Sequence, residues 1–117
     1  MKKLFKVALV CVSFILMVHG LCLAQSTLSS IVGVATDSSG SVVSQANVVA
    51  REVLTGVQRA GVTNQVGQYT FSALLPGTYV VTVSKAGFKD VKSSDIILIA
   101  AQSVRFDAPL QVGSTSE

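Results

Sequence analysis

Residues 63–88 read TNQVGQYTFSALLPGTYVVTVSKAGF, and apolar side chains occupy alternate positions over 69–71 and again over 79–83. Alternation with a period of two places one face of each strand in a core and the other in water. Between the two runs, Pro76 and Gly77 are typical of a turn, because proline presets φ and glycine accepts positive φ. The stretch predicts a β-hairpin with a buried aromatic face, against which the rest of the domain packs.

The first 24 residues have a different character from the rest of the chain. Three lysines lie among the first six residues, an apolar run follows over 7–18, and the small residues Cys22 and Ala24 stand at the third and first positions before Gln25. This order predicts a secretory signal peptide over 1–24 that is cleaved after Ala24. The apolar run is shorter than the ~20 residues that a transmembrane helix needs.

Two other outcomes for this segment stay open, an uncleaved membrane anchor and a lipoprotein acylated at Cys22. Acylation favours a small residue before the cysteine, and Leu21 is not small. A signal peptide implies export across the inner membrane, so the expected location is the periplasm, in solution or associated with the outer membrane.

Removal of the signal segment changes the charge balance. The three lysines of the segment belong to a total of nine basic residues, and the six that remain equal the six acidic residues. The formal charge of residues 25–117 is therefore zero, which argues against nucleic-acid binding, because a phosphate-binding surface needs an excess of Lys and Arg.

The reactive side chains are also confined to the signal segment. His19, Cys11 and Cys22 are the only histidine and cysteines of the chain. Residues 25–117 therefore predict no disulfide, no zinc site, no Ser-His-Asp triad and no Cys-His pair. We expect no catalytic residue, no metal, no cofactor and no enzymatic activity.

Beyond the signal, β patterns and turn signals alternate along the chain and no helical period appears. This spacing predicts an all-β fold, a seven-stranded antiparallel Ig-like or prealbumin-like sandwich that follows the signal-peptide helix. In 95–101 either Ile96 and Leu98 or Ile97 and Ile99 face the core. The expected strands are 31–37, 46–54, 58–63, the two arms of the hairpin, 95–101 and 103–110, with 88–93 as a short edge. The expected large core side chains are Tyr69, Phe71, Tyr79, Phe88 and Phe106.

Other candidate sites have ordinary structural explanations. Lys85, Lys89 and Lys92 suit a solvated sheet edge, with an anion-binding patch as the alternative. Asp37 precedes Ser-Ser-Gly and is expected to bond the backbone of its own turn rather than calcium. The other acidic residues are too scattered for a catalytic pair. An intramolecular isopeptide bond needs a buried Lys, Asn and acid together, and the candidate residues of these types are Lys85, Asn47, Asn64 and Glu52.

The series D37xxG, A46xV, T55G, T63NxxGxYxF and L75PGxYxVxVxxxGF resembles the carboxypeptidase regulatory-like domain over residues 30–110. That family is similar in fold to prealbumin-like and Cna-B-like sandwiches. In carboxypeptidases the domain lies beside the zinc-peptidase domain and carries no catalytic residue, so the resemblance implies no peptidase activity.

A closer resemblance is to the amino-terminal extension of Oar-like TonB-dependent outer-membrane receptors. The segment APLQVG over 108–113 looks like the junction that precedes the plug domain in those receptors. The resemblance implies a module in the periplasm. A stand-alone module and a truncated receptor or fragment stay open.

The prediction is a signal peptide over 1–24, a carboxypeptidase regulatory-like sandwich over 25–110 and a flexible tail over 111–117. We expect a non-enzymatic module of the cell envelope with a structural or protein-interaction role, contacting envelope proteins by edge-strand pairing. The alternative is a carbohydrate-binding module with a glycan partner. The sequence predicts no oligomeric state.

Overall fold

The computed structural model describes residues 1–19 and 26–113. The predicted cleavage point after Ala24, the alternative acylation site Cys22 and residues 114–117 lie outside the described residues. The elements are one helix, α1 Lys2–His19, and nine strands: β1 Ser29–Thr36, β2 Asn47–Glu52, β3 Gln58–Val62, β4 Gln68–Leu74, β5 Gly77–Ser84, β6 Val91–Lys92, β7 Ile96–Leu98, β8 Ser103–Arg105 and β9 Ala108–Pro109.

Helix α1 contains the lysines and the apolar run that the sequence assigns to the signal peptide. Within residues 1–19 and 26–113, no helix has both the length and the apolar character that crossing a membrane requires. The assignment of this helix to a signal peptide stays a prediction.

The strands form two sheets, which confirms the predicted all-β sandwich. Sheet 1 has the order β4-β1-β8, and β9 also pairs with β1. Sheet 2 has the order β3-β2-β5-β6, and β7 also pairs with β5. Residues 37–46 connect β1 of sheet 1 to β2 of sheet 2.

The alternation predicted over 69–71 and 79–83 is confirmed, and other long strands alternate too. Strand β1 alternates strictly between buried and half-buried positions, with Ile31 and Ala35 fully inside. Three of the five aromatic residues expected in the core, Tyr69, Phe71 and Tyr79, are 5% exposed or less. The other two, Phe88 and Phe106, are only partly buried and pack at the margin of the core.

The predicted hairpin over residues 63–88 is wrong. Strand β4 pairs with β1 and β5 pairs with β2, so the two aromatic-bearing strands belong to opposite sheets. Two-residue hairpin loops need positive φ at one or both loop positions, and the proline ring holds the φ of Pro76 near −65°. Positive φ occurs instead at Ala73 (57°), before the connection, which therefore arches across the core.

The predicted antiparallel arrangement also needs correction, because β8 and β9 pair with β1 in parallel. The single strand expected over 103–110 is divided at Phe106 and Asp107. There the Asp107 carboxylate, in place of a backbone carbonyl, accepts a hydrogen bond from the N–H of Val34 at 3.0 Å. Gly33 makes this possible, since a Cβ at that position would overlap the carbonyl oxygen of Phe106.

Packing decides which residues of the segment 95–101 face the core, and hydrogen bonds hold the residues after β9. Ile96 and Leu98 face the core, whereas Ile97 and Ile99 are more than 60% exposed. Residues 111–113, which the sequence assigns to a flexible tail, are hydrogen-bonded to residues 87–89 at the margin of sheet 2. This contact covers the side of the sandwich formed by β9 and β6.

Candidate functional site: the β3 edge and the adjoining groove

The carboxylate of Asp37 is engaged by its own turn, as expected. Its Oδ1 accepts hydrogen bonds from Ser39 Oγ at 2.6 Å, Ser39 N at 2.9 Å and Ser41 N at 3.0 Å. The bond from the Ser39 hydroxyl is the main cause that lowers the pKa of Asp37. Three donors on one oxygen stabilise the ionised turn and account for this residue without a ligand.

The other acidic residues are dispersed over the sandwich. Glu52 accepts hydrogen bonds from the backbone and hydroxyl of Thr55, and the hydroxyl is the main cause that lowers the pKa of Glu52. Asp107 bonds Arg105, while Asp90 and Asp95 are exposed. Within residues 1–19 and 26–113, no three His, Cys, Asp or Glu side chains are grouped so that they could hold a metal. The expectation that the chain uses no cofactor stays a prediction.

The structure brings two of the isopeptide candidates together but leaves them outside the core. Asn47 and Lys85 line a shallow depression with Asp90, and none of the three is buried. The Lys85 ammonium group donates a hydrogen bond to the carbonyl of Gln45 at 3.4 Å. Glu52 lies at the opposite end of β2, and Asn64 caps a separate turn. A buried Lys, Asn and acid are therefore not assembled among the described residues.

Strand β3 is an open sheet edge. It pairs with β2 on one side, and all five of its residues are exposed. At the two ends of β3, the carbonyl of Val57 accepts a hydrogen bond from the N–H of Glu52 in β2, and the N–H of Thr63 donates to the carbonyl of Ala46, the residue before β2. Antiparallel ladders alternate residue by residue, so Arg59 and Gly61 also point their backbone groups toward β2. The backbone N–H and C=O groups of the residues that alternate with these point away from β2.

The backbone groups of Gln58, Ala60 and Val62 consequently face away from β2. Among the described residues β3 pairs with no strand other than β2, and no hydrogen bond outside the strand ladders involves these N–H and C=O groups. Their side chains lie on the outer face of sheet 2, because the inner-face residues Val48 and Ala50 are opposite Gly61 and Arg59. The outward-facing backbone groups of these three alternate residues therefore form a template for an added strand.

The neighbouring edge of sheet 1, on β4, is largely occupied. By the same alternation, Gln68, Thr70 and Ser72 point away from β1. The backbone of Gln68 is paired with Asn64, through both its N–H and its C=O. The carbonyl of Ser72 accepts a hydrogen bond from Arg59 Nη2 at 3.2 Å. Of these three residues, Thr70 alone makes no hydrogen bond on this side within the described part of the chain, so β3 is the more available edge.

A groove of about 360 Å³ adjoins the start of β3, between the two sheets. Leu54 and Leu75 are exposed on its rim, at 89% and 67%. Burial raises the pKa of the Tyr79 hydroxyl, which remains a neutral donor. The groove is lined by Glu52, Leu54, Thr55, Val57, Arg59, Ala73, Leu74, Leu75, Pro76 and Tyr79.

Sequence reasoning missed this groove because it joins two loops that are distant in the chain. One signal was available: Leu54 and Leu75 are large apolar residues at turn positions, where polar residues are more usual. Arg59 lies on the inner face of β3 and has no carboxylate partner among the described residues, which the sequence alone does not indicate.

Comparisons with known proteins agree with the fold. A model of the carboxypeptidase regulatory-like domain matches residues 30–111. No curated protein matches the chain in sequence at a significant level. Several solved structures match the chain in shape.

The Bacillus anthracis TIE protein is 15% identical with a TM-score of 0.63, covering 74% of this chain and 17% of that one. A streptococcal ancillary pilin is 15% identical with a TM-score of 0.60, covering 76% and 34%. A putative carbohydrate binding protein from Bacteroides uniformis is 18% identical with a TM-score of 0.56, covering 74% and 42%.

A catechol 1,2-dioxygenase from Acinetobacter is also similar in shape, at 11% identity and a TM-score of 0.60, covering 79% of this chain and 55% of that one. The chain thus spans between 17% and 55% of the length of these proteins. At such identities the likeness shows a shared sandwich fold alone.

Proposed function

The chain belongs to the carboxypeptidase regulatory-like domain family, and from that premise we propose that it is a non-enzymatic module of the Gram-negative cell envelope. Its role is to hold a partner protein by adding a strand of that partner to β3. The observation that carries the proposal is the row of free backbone groups on Gln58, Ala60 and Val62. Added strands gain affinity from main-chain hydrogen bonds, so such an edge needs no catalytic residue.

The location is part of the proposal. The lysine-rich apolar segment over 1–18 supports export through a signal peptide, and the resemblance to the amino-terminal extension of Oar-like receptors supports the periplasm. Amino-terminal sequencing of the exported protein tests this point. We expect the mature chain to begin at Gln25, and an intact Met1 on membrane-bound protein would favour an anchor instead.

Photocrosslinking in the periplasm tests the strand-addition role. A photoreactive amino acid at Ala60 is expected to trap a partner protein, because the position is central to the free edge. The same replacement at Gln68, an exposed residue of the β4 edge whose backbone groups are already paired with Asn64, is the matched control and is expected to trap little. Equal labelling from the two positions, or none from Ala60, would contradict the proposal.

A carbohydrate-binding role is the second candidate, and the likeness to the Bacteroides uniformis protein favours it. Sugar sites commonly stack an exposed aromatic ring on the ligand. Within residues 26–113 the aromatic rings are buried or half-buried, which favours the protein partner. Specific glycan-array binding by the mature chain that persists in Ala60→Pro would favour the sugar.

A further inference from the structure

The inner face of β3 carries a pattern that selects which extended segment it binds. Cross-strand partners share a face, so Val57, Arg59 and Gly61 lie on the same side as the buried residues Val48 and Ala50. Two of them, Val57 and Arg59, also line the groove between the sheets. An added strand would therefore project every second side chain into the space between β3 and β4.

Antiparallel addition fixes how close those side chains come. Gln58, Ala60 and Val62 would form the hydrogen-bonded pairs, because their backbone groups are the free ones. Val57, Arg59 and Gly61 would then form the non-hydrogen-bonded pairs, in which Cα atoms are only ~4.5 Å apart and side chains are closest. The three inner positions of the incoming strand thus meet three different surfaces.

Opposite Arg59 the complementary side chain is acidic. The guanidinium group uses Nη2 on the carbonyl of Ser72, and it has no carboxylate partner among the described residues. A guanidinium group has five donors in a planar fork that suits a carboxylate. Glu52, which also lines the groove, is already bonded to Thr55. Arg59 is therefore left without a carboxylate from the described part of this chain and can pair with one from the incoming strand.

Opposite Val57 the complementary side chain is aliphatic. The groove there is walled by Leu54, Leu74 and Leu75, and the rim leucines are largely exposed to water. A leucine or isoleucine of the incoming strand would bury this apolar surface. Burying one such side chain changes affinity by about tenfold or more.

Opposite Gly61 the complementary side chain is aromatic. Gly61 is exposed and carries no side chain, and a Cβ there would lie 3.5 Å from the ring of Phe71, so the space over the glycine is open to a large side chain of the incoming strand. A cross-strand aromatic residue is the established way in which sheets cover an edge glycine. The spacing places this residue two positions from the acidic one.

We propose that the β3 edge and the groove bind an extended, antiparallel peptide segment with the order aromatic, any residue, acidic, any residue, aliphatic. The proposal rests on the strand-addition function above and names its partner by chemistry. A second copy of this chain is a poorer occupant, because the sequence QRAGV of β3 contains no acidic residue to meet Arg59.

Isothermal titration of the exported protein, beginning at Gln25, with three synthetic nonapeptides tests the order. The first carries Phe, Glu and Leu at alternate central positions with Thr between them. The second reverses the central five residues, and the third has Thr in place of Phe, Glu and Leu. We expect micromolar binding of the first and at least about tenfold weaker binding of the other two.

A double-mutant cycle isolates the charge pair. Arg59→Gln in the protein and Gln for Glu in the peptide are each expected to weaken binding about fivefold, and the two changes together no further. Ala60→Pro removes a central edge N–H and is expected to abolish binding of every peptide. Val57→Ser is expected to weaken the first peptide more than the all-Thr peptide.

The outcomes separate this inference from the proposed function. If all three peptides bind equally and Ala60→Pro abolishes their binding, strand addition holds and the side-chain order is wrong. If the first peptide does not bind while Ala60 crosslinks a partner in the periplasm, the inference is again wrong and the function stands. Preferential binding of the first peptide with a coupled Arg59 supports both.

Discussion

The hydroxyl of Tyr79 donates a hydrogen bond to the carbonyl oxygen of Leu75 at 2.8 Å, across the connection between β4 and β5. The bond joins the beginning of β5 to the arch that changes sheets, in the manner of the tyrosine corner of other sandwiches. It fixes the connection that also forms one wall of the groove. The phenol ring itself is 5% exposed, so the residue anchors the arch to the core.

Removing the Tyr79 hydroxyl should loosen the arch. Tyr79→Phe is expected to lower the free energy of unfolding by about 1 kcal/mol, because the carbonyl of Leu75 loses its donor. Tyr79→Ala is expected to cost about 3–5 kcal/mol through the loss of core packing. Urea titrations of both variants check the order. A Tyr79→Phe variant as unstable as Tyr79→Ala would contradict the assignment of a separate hydrogen-bonding role.

Proline substitutions should reveal the alternation along β3. Ala60→Pro is expected to fold with little loss of stability, since its N–H faces away from β2. Gly61→Pro is expected to cost about 2 kcal/mol or more, because it removes a donor of the β2–β3 ladder. Thermal unfolding followed by circular dichroism checks both. The reverse order of stabilities would assign the free edge to the wrong residues.

Two glycine substitutions should change stability in opposite directions. Gly33→Ala is expected to cost about 1–3 kcal/mol, because the new methyl group would overlap the Phe106 carbonyl and lie 2.6 Å from the Tyr69 hydroxyl. Gly61→Ala is expected to raise stability by up to about 1 kcal/mol, since its Cβ meets only ordinary contacts at 3.5 Å. Chemical denaturation of the pair checks the prediction. Similar effects at both positions would contradict the close approach at Gly33.

The hydroxyl of Thr63 should matter more than its methyl group. Its Oγ1 donates to the carbonyl of Val43 at 2.7 Å and accepts from the N–H of Ala46 at 2.9 Å, in a residue that is 2% exposed. Thr63→Val leaves both backbone groups unpaired and is expected to cost about 1–3 kcal/mol. Thr63→Ser keeps the hydroxyl and is the control. A Val variant more stable than the Ser variant would remove this role.

Stability should fall in acid, partly through Asp107. The hydrogen bond from Arg105 is the main cause that lowers the pKa of Asp107 below its usual value of 3.8. The native state then binds fewer protons than the unfolded chain, so this stabilisation is present above about pH 4 and is lost as the pH falls through the lowered pKa. Urea midpoints measured between about pH 5 and about pH 2 should drop less in Asp107→Asn than in the unaltered protein. Identical pH dependences would contradict a role for this carboxylate.

The sequence predicts which face of each strand is buried better than it predicts which strands pair. Tyr69, Phe71 and Tyr79 take the expected phase because burial follows from the alternation alone. The pairing of β4 with β1 was not predicted, because the apolar–polar alternation of a strand is the same whether the next strand joins the same sheet or the opposite sheet. Pro76 could have indicated that β4 and β5 do not form a hairpin, since its fixed φ excludes the common two-residue hairpin turns.

The candidate site depended on information that no single stretch contains. That Gln58, Ala60 and Val62 are free follows from the ladder register with β2, and that the β4 edge is occupied follows from Arg59 reaching Ser72. Both are consequences of tertiary pairing. The expectation of edge-strand binding could be stated from the sequence, but the edge itself could be chosen only from the register.

The parallel pairing of β1 with β8 and β9 also has a mechanical consequence. A pulling force applied between the start of β1 and the end of β9 would load these hydrogen bonds in shear, so that they resist together instead of opening one after another. The β3 edge lies in the other sheet, outside this line of tension. A strand held there would stay bound while the sandwich transmits force along its length.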